Sequence, residues 1–196
     1  MSDYLILLYI ILNIIYNYMH HSDFIGIIAS IIKPTIYLEL GLYEGETLDK
    51  VIKHASYVYG VDIKKNSKLE QLENNNKNKV KIIYDKTDTF FEDFNHKVDM
   101  AFIDADHCAK SALKDFENTL SRLSDDGIII MHDTDPIANS YIGPKYCGDS
   151  YKIVPILEKR TDINIITLPL TEAGLSIIMK KNSSRTFLRN GLQFYL

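Results

Sequence analysis

The sequence predicts an α/β fold in which a mostly parallel sheet is covered by helices on both faces. Short apolar runs alternate with segments of helical spacing from residue 36 onward, as expected for strands joined by helices. One run, residues 127–131, has no polar side chain, which is typical of a strand buried on both faces. The last two runs are joined by a short turn, which predicts an antiparallel hairpin at one edge of the sheet.

The elements follow one another without a linker that would split the chain. We expect strands at residues 36–40, 57–61, 80–84, 98–103, 127–131, 163–168 and 175–179. We expect helices at residues 23–32, 48–55, 65–73, 109–123 and 150–159. Ser22 is the predicted N-cap of the first of these helices, and Pro34 follows its end. Pro155 lies inside the last predicted helix, where a proline is unfavourable.

The length of 196 residues suits one domain with a sizeable core. We divide it into an N-terminal helical cap (1–33), a core (36–180) and a C-terminal tail (181–196). The formal net charge of −4 gives no long-range attraction to phosphate backbones, so a small-molecule partner is favoured over nucleic acid. The basic cluster near the C-terminus is interpreted as a solvated tail; it comprises Lys180, Lys181, Arg185 and Arg189.

The segment 4–18 is strongly apolar, but it has no basic flank or cleavage site of a signal peptide. It is shorter than the ~20 residues that a spanning helix needs, and Asn13 and Asn17 interrupt it. We therefore expect no membrane span but a helix that is buried or covered by a partner, with a membrane-surface anchor as the alternative. Cys108 and Cys147 form no disulfide or zinc pattern, which favours reduced thiols in the cytoplasm.

A glycine turn, Gly41-x-x-x-Gly45, connects the first predicted strand to a helix. Glycines there let the backbone turn tightly and approach a ligand closely. The spacing differs from the Gly-x-Gly-x-x-Gly pattern of dinucleotide-binding proteins, which argues against such a ligand. Asp62 ends the second strand and could accept the two hydroxyls of a ribose, or could merely cap the loop that follows.

Polar side chains also follow the fourth and fifth predicted strands, whose carboxyl ends are neighbours in a parallel sheet. We expect the side chains of Asp104, Asp106, His107, His132 and Asp133 to converge there. Carboxylate oxygens suit Mg²⁺ or a similar hard cation. Such a cation could bind a hydroxyl group of a substrate and lower the pKa of that hydroxyl.

The residues of this turn and of these strand ends resemble a known family. The run 39–47 (ELGLYEGET), followed by Gly60-Val61-Asp62, resembles motifs I and II of class I S-adenosylmethionine-dependent methyltransferases. The first run is most similar to the cofactor loop of the catechol and caffeoyl-CoA O-methyltransferases. The runs 102–107 (FIDADH) and 128–134 (IIIMHDT) resemble the fourth- and fifth-strand motifs of the broader group, including small methyltransferases of sugar and antibiotic pathways.

The resemblance covers about residues 36–180 and implies a Rossmann-like three-layer sandwich with a seven-stranded sheet. It implies S-adenosylmethionine as cofactor, with Asp62 on the ribose and the side chains after the third strand beside the adenine. The residues that it places at the methionine end are Glu39, Gly41, Tyr43, Gly45 and Thr47. Those that it places beside the adenine are Asp85, Thr87 and Asp88, and Asp104 completes the cofactor site.

On the acceptor side the resemblance implies a metal held by Asp104 and Asp133. The third ligand position holds Thr134, where the catechol-type enzymes have asparagine. His107 occupies the position of their lysine base, so Asp104 and His107 are the candidate catalytic residues. The alternative is that His107 caps the following helix or bonds Asp106.

Three further histidines are expected to be structural. The position of His132 is not a ligand position in the similar family, and His20 and His21 are interpreted as helix-end residues.

These observations predict methyl transfer from S-adenosylmethionine to a hydroxyl of a small sugar or phenol, with or without Mg²⁺. No Asn/Asp-Pro-Pro-aromatic run and no basic stripe is present, which disfavours the alternative of an N- or nucleic-acid methyltransferase. Two hypotheses without methyl transfer are a nucleotide-sugar binder, which the glycine spacing disfavours, and an inert scaffold that only binds the cofactor. A homo-oligomer is compatible with the sequence.

Overall fold

The computed structural model describes residues 19–143, 146–169 and 173–184. Within these residues the strands form one sheet in the order β3-β2-β1-β4-β5-β7-β6. The strands are β1 Ile36–Leu40, β2 Tyr57–Val61, β3 Val80–Ile83, β4 Val98–Ile103, β5 Leu123–His132, β6 Ile163–Leu168 and β7 Leu175–Lys180. Strands β1 to β5 are parallel, and β7 pairs antiparallel with both β5 and β6. The predicted α/β class and the edge hairpin are therefore confirmed.

Helices cover both faces of this sheet. They are α1 His21–Ile32, α2 Glu46–Ile52, α3 Ser67–Asn75, α4 Thr87–Asp93, α5 Ala109–Arg122 and α6 Val154–Leu157, with 3₁₀ turns at Asn139–Tyr141 and Ser150–Ile153. Helices α1, α2 and α3 bury side chains such as Ile25, Leu48 and Leu69 in the core on one face. Helices α4 and α5 bury Phe90 and Phe116 in the core on the other face. The result is the three-layer arrangement expected from the sequence.

The start of α1 differs from the prediction. The N-cap is His20, whose side chain accepts a hydrogen bond from the Ser22 backbone, and Ser22 lies inside the helix. The Ser22 hydroxyl is fully buried and donates to Glu46 of α2, so it is not free to cap its own helix. The helix ends at Ile32 with Lys33 in the left-handed conformation, just before Pro34.

Other elements also depart from the sequence prediction, which did not include helix α4. Strand β5 begins at Leu123, four residues early, because Leu123 pairs with Val98 across a bulge in the β4 register. The predicted helix at 150–159 is divided into a 3₁₀ turn and the short helix α6. Pro155 stands in the first turn of α6, where its missing N–H costs no hydrogen bond.

Some expectations fall outside the part of the chain that the structure describes. These are the apolar segment 4–18, Arg185 and Arg189 of the basic cluster, and most of the tail. Among the described residues, no helix has the length and apolar character needed to cross a membrane.

Candidate active site

Two adjoining clefts open at the carboxyl ends of β1 and β4, where the strand order reverses. Ligands of such sheets bind at this switch point. The first cleft, of about 840 Å³, extends from the glycine turn to Asp104 and His107. The second, of about 550 Å³, lies towards α4 and α5. Both share Gly41 and Asp62, so the glycine turn stands between them.

The glycine turn brings β1 close to the exit of β4. Gly41 has a φ of 84°, and a Cβ there would lie 2.1 Å from the carbonyl oxygen of Asp104. Gly45 has a φ of 81°, and a Cβ there would lie 2.7 Å from a Leu72 methyl group. Both positions therefore require glycine for backbone conformation and for space. The close approach that the sequence assigned to a ligand is made, at Gly41, to the chain's own backbone.

Asp62 joins the end of β2 to this turn. One of its carboxylate oxygens accepts hydrogen bonds from the backbone N–H groups of Leu42 (2.8 Å) and Tyr43 (3.0 Å). The other accepts one from the backbone of Lys64 at 2.7 Å. Since a carboxylate has about four lone-pair positions, this arrangement leaves capacity for a further donor. The next residue, Ile63, is 70% exposed and lines both clefts with an apolar side chain.

Glu39 places a buried carboxyl group beside the first cleft. Only 1% of the residue is exposed, and the Tyr37 hydroxyl donates to its Oε2 at 2.7 Å. Burial raises the pKa of Glu39 to about 8, against the opposing effect of the Tyr37 hydrogen bond and with help from the nearby Asp104 charge. A cationic ligand in the cleft would favour the ionised form of this group.

Polar groups of β4 and β5 meet at the far end of the first cleft. Ligand atoms of Asp104, His107 and Asp133 all lie within 4.8 Å of one another. Asp133 is 4% exposed, and its Oδ2 has no hydrogen-bond partner in the described part of the chain. That oxygen lies 3.3 Å from Nδ1 of His107. Asp133 also has a φ of 60°, in the left-handed region that aspartate adopts more readily than most residues other than glycine.

His132 lies between the two carboxylates of this cluster. Its Nδ1 is 3.3 Å from Oδ1 of Asp104 and 3.3 Å from Oδ1 of Asp133. Burial by itself lowers the pKa of His132, but the two carboxylates outweigh it and hold the pKa above its ordinary value. When protonated, the imidazole can act as a counter-charge for the two carboxylates.

Comparisons with known proteins agree with this geometry. The model of a methyltransferase-domain family matches residues 38–134, a range that contains the glycine turn, Asp62, Asp104 and Asp133. The chain therefore contains a methyltransferase domain, and S-adenosylhomocysteine-bound methyltransferases share its fold. No curated protein sequence matches it significantly.

Solved structures share the fold of this methyltransferase. The S-adenosylhomocysteine-bound methyltransferase PaMTH1 of Podospora anserina has a TM-score of 0.66 at 19% identity, with 82% of this chain and 78% of that chain covered. The O-methyltransferase TomG of Streptomyces achromogenes, in complex with S-adenosylmethionine, has a TM-score of 0.64 at 13% identity, with 82% and 79% covered. An rRNA methylase of Streptococcus thermophilus has a TM-score of 0.62 at 14% identity, with 82% and 93% covered.

The second cleft is lined by Asp85, Thr87 and Asp88, the residues that the resemblance places beside the adenine. It also contains Asp106, which therefore does not join the cluster of Asp104 and Asp133 as predicted. The reason is the path of the chain after β4. It runs between the two clefts, so that Asp104 lines the first cleft and Asp106 lines the second.

Asp115 of α5 is a further acidic residue of the second cleft that the sequence did not indicate. It is 2% exposed, and burial raises its pKa to about 6 although the Thr87 hydroxyl donates to it. Its signal in the sequence is one acidic residue on the apolar face of a helix, next to Phe116.

The loop after β5 fixes the position of His107. Asp149 accepts a hydrogen bond from the Ala109 backbone at 2.6 Å, and its own N–H donates to the His107 carbonyl at 2.9 Å. The N-cap position of α5 is Cys108, and the capping oxygen comes from Asp149, so the alternative that His107 caps this helix is wrong. Nδ1 of His107 contacts the carbonyl oxygen of Tyr146. A carbonyl oxygen can only accept, so this contact favours the tautomer that carries its proton on Nδ1 and its lone pair on Nε2.

His20 and His21 lie at this site as well, although the sequence indicated only a helix end. The His21 ring lies 4.4 Å from the His132 ring and 4.1 Å from the His20 ring, measured between centroids. Both side chains line the first cleft. No local pattern could have shown this, because it depends on how α1 packs against α2.

Proposed function

We propose that this methyltransferase transfers the methyl group of S-adenosylmethionine to a hydroxyl of a small phenol or sugar. The observation that carries the proposal is the cluster of Asp104, His107 and Asp133, at the end of the cleft that begins at the glycine turn. Carboxylates and a histidine suit the binding and deprotonation of a hydroxyl group. The net charge of −4 favours an uncharged small acceptor over RNA, the substrate type named for one protein of similar fold.

The two clefts support a cofactor that spans the glycine turn. Its methionine end would lie along the first cleft, held by Glu39, Gly41, Tyr43, Gly45 and Thr47, with Asp104 near the sulfonium. Asp62 would hold the ribose with its remaining lone pair. In the second cleft the adenine would contact Ile63, together with Asp85, Thr87 and Asp88. The bound cofactor supplies an electrophilic methyl group; the protein orients the acceptor and excludes water.

A divalent cation fits the donor set at the acceptor end. Asp104 and Asp133 supply carboxylate oxygens. Oδ2 of buried Asp133 has no hydrogen-bond partner among the described residues and could therefore coordinate such an ion. His107 supplies a third donor, in place of the Thr134 position that the similar family would use. When bound, a hard cation lowers the pKa of a coordinated hydroxyl.

His107 is the proposed base if no cation takes its lone pair. Its Nε2 lies 3.8 Å from Oδ1 of Asp104, and 41% of its side chain is exposed to the cleft mouth. Asp104 would stabilise the imidazolium formed when the ring accepts the hydroxyl proton. We also propose that the chain is one methyltransferase domain comprising a helical cap (1–33), a core (36–180) and a tail (181–196).

The cofactor assignment is tested by calorimetry with S-adenosylhomocysteine. We expect binding to the parent protein and a higher melting temperature at saturating ligand. Asp62→Ala should weaken this binding by about tenfold or more, since a hydrogen bond to a charged group contributes roughly 1.5–3 kcal/mol. The control is Asp93→Asn, an exposed acid outside both clefts. A response to NAD but none to S-adenosylhomocysteine would contradict the cofactor assignment. Binding without turnover of any hydroxylated acceptor would favour an inert scaffold.

Glu39 makes a separate prediction about stability and pH. Its folded pKa of about 8 exceeds its ordinary value of 4.5, so the folded protein holds this proton more tightly than the unfolded chain. The contribution to stability is complete below pH 4.5 and is lost as pH rises through 8. We expect the free energy of unfolding of the ligand-free parent to fall by about 2 kcal/mol more than that of Glu39→Gln between pH 6.5 and 8.5.

Urea denaturation of the parent, Glu39→Gln and the exposed control Glu92→Gln at both pH values measures this difference. Parallel pH dependence in the parent and in Glu39→Gln would show that the buried carboxyl group is already ionised at pH 6.5.

A further inference from the structure

Helix α1 carries a side chain into the acceptor end of the first cleft. His21 is the first residue of this helix, and its ring packs against His132 at 4.4 Å and near Phe102 at 6.0 Å. It lines the same cleft as Glu39 and Asp104. His21 is therefore next to the residues proposed to receive the acceptor, although it comes from the edge of the fold.

The position of the His21 ring is set by a buried attachment of α1 to α2. The hydroxyl of Ser22 is fully buried and donates to Glu46 at 2.9 Å, and Lys50 donates to that hydroxyl at 2.7 Å. Lys50 also pairs with Asp23 at 2.7 Å. These contacts hold the first turn of α1 in place directly after His21, and so fix the point from which its side chain enters the cleft.

The contacts of His21 leave its hydrogen-bonding groups available. Throughout the described residues, no hydrogen bond engages either ring nitrogen, and the ring makes tilted contacts with the rings of His20, Phe102 and His132. Burial, together with the neighbouring His132 and His20, lowers the pKa of His21 to about 4, against the opposing charges of Asp104 and Glu46. At neutral pH the ring is thus uncharged, with one nitrogen that donates and one that accepts. Such a low pKa makes it a poor base but a suitable partner for a hydroxyl group.

We propose that His21 is a positioning residue for the acceptor: a ring nitrogen hydrogen-bonds a hydroxyl of the acceptor and directs the reacting hydroxyl towards Asp104 and His107. This inference rests on the proposed function, because it assumes a hydroxylated acceptor. A role for His21 in acceptor binding accounts for the polar imidazole rings, rather than apolar side chains, that lie beside His132 in a partly buried place. A side chain needed only for packing would be served equally well by phenylalanine.

The test compares His21→Phe, which keeps an aromatic ring but removes both nitrogens, with His21→Gln, which keeps hydrogen-bonding groups. His54→Phe is the matched control, because His54 lines neither cleft. Catechol and methyl glucoside serve as probes of the phenol and sugar classes, measured by calorimetry on protein saturated with S-adenosylhomocysteine. Methyl transfer from S-adenosylmethionine then gives KM and kcat for each probe that binds.

We expect His21→Phe to raise the Kd and KM of the preferred probe about tenfold, the size of one net hydrogen bond, and His21→Gln to recover part of it. Affinity for S-adenosylhomocysteine should not change. Equal probe affinity in the parent and His21→Phe, or equal losses of probe and S-adenosylhomocysteine affinity, would overturn the role of His21. A parent that binds S-adenosylhomocysteine but neither probe would overturn both the hydroxyl-acceptor proposal and the role of His21, while leaving the cofactor assignment intact.

Discussion

The His107→Ala variant is expected to transfer the methyl group about 10²–10⁴ times more slowly than the parent, the usual contribution of a positioned base. Its affinity for S-adenosylhomocysteine should be nearly unchanged, because the glycine turn and Asp62 do not contact this ring. The physical reason is the orientation of the imidazole. Nδ1 faces the Tyr146 carbonyl and Asp133, so Nε2 can accept the hydroxyl proton near Asp104.

Single-turnover methylation of catechol measures the step directly, with His96→Ala as a control at a histidine outside the first cleft. A variant within a few-fold of the parent would return His107 to a structural role.

The second large effect concerns the divalent cation. If Asp104, His107 and Asp133 hold such an ion, exhaustive chelation should reduce turnover more than about 100-fold, since metal stabilisation of developing charge amounts to several kcal/mol. Cofactor affinity should be retained, and added Mg²⁺ should restore the rate. Asp133→Asn should require far more Mg²⁺ for half-maximal rate, whereas the exposed control Asp93→Asn should not. Full activity after chelation would show that the reaction needs no cation at Asp104 and Asp133.

These two experiments also separate the two roles open to His107, because one lone pair cannot bind a metal and accept a proton at the same time. A His107→Ala variant that recovers at high Mg²⁺ concentration has lost a ligand. One that stays slow at every Mg²⁺ concentration has lost a base.

The strands and the turn that build the site could be predicted from the sequence, because they depend on patterns of neighbouring residues. Strand bounds follow from hydrophobic periodicity, and β1, β2, β4 and β6 occur at the predicted residues. The alternation of strands and helices predicted a parallel sheet with a point at which the strand order reverses. The glycine turn and Asp62 were expected at that point. His107 and Asp133 could be expected near one another because each follows one of two adjacent parallel strands.

What the sequence by itself determined about this protein is its α/β class, its strands and the methyltransferase motifs. The tertiary structure decided which side chains share a cleft. Ser22 does not cap α1 because its hydroxyl is hydrogen-bonded to Glu46 and Lys50. Asp149 instead lies at the start of α5, where it accepts a backbone hydrogen bond. The tertiary structure also places His21 against His132, and it places Asp106 in a different cleft from Asp104. Such contacts join residues distant in sequence, and their partners are chosen by packing and burial, for which no local spacing provides a signal.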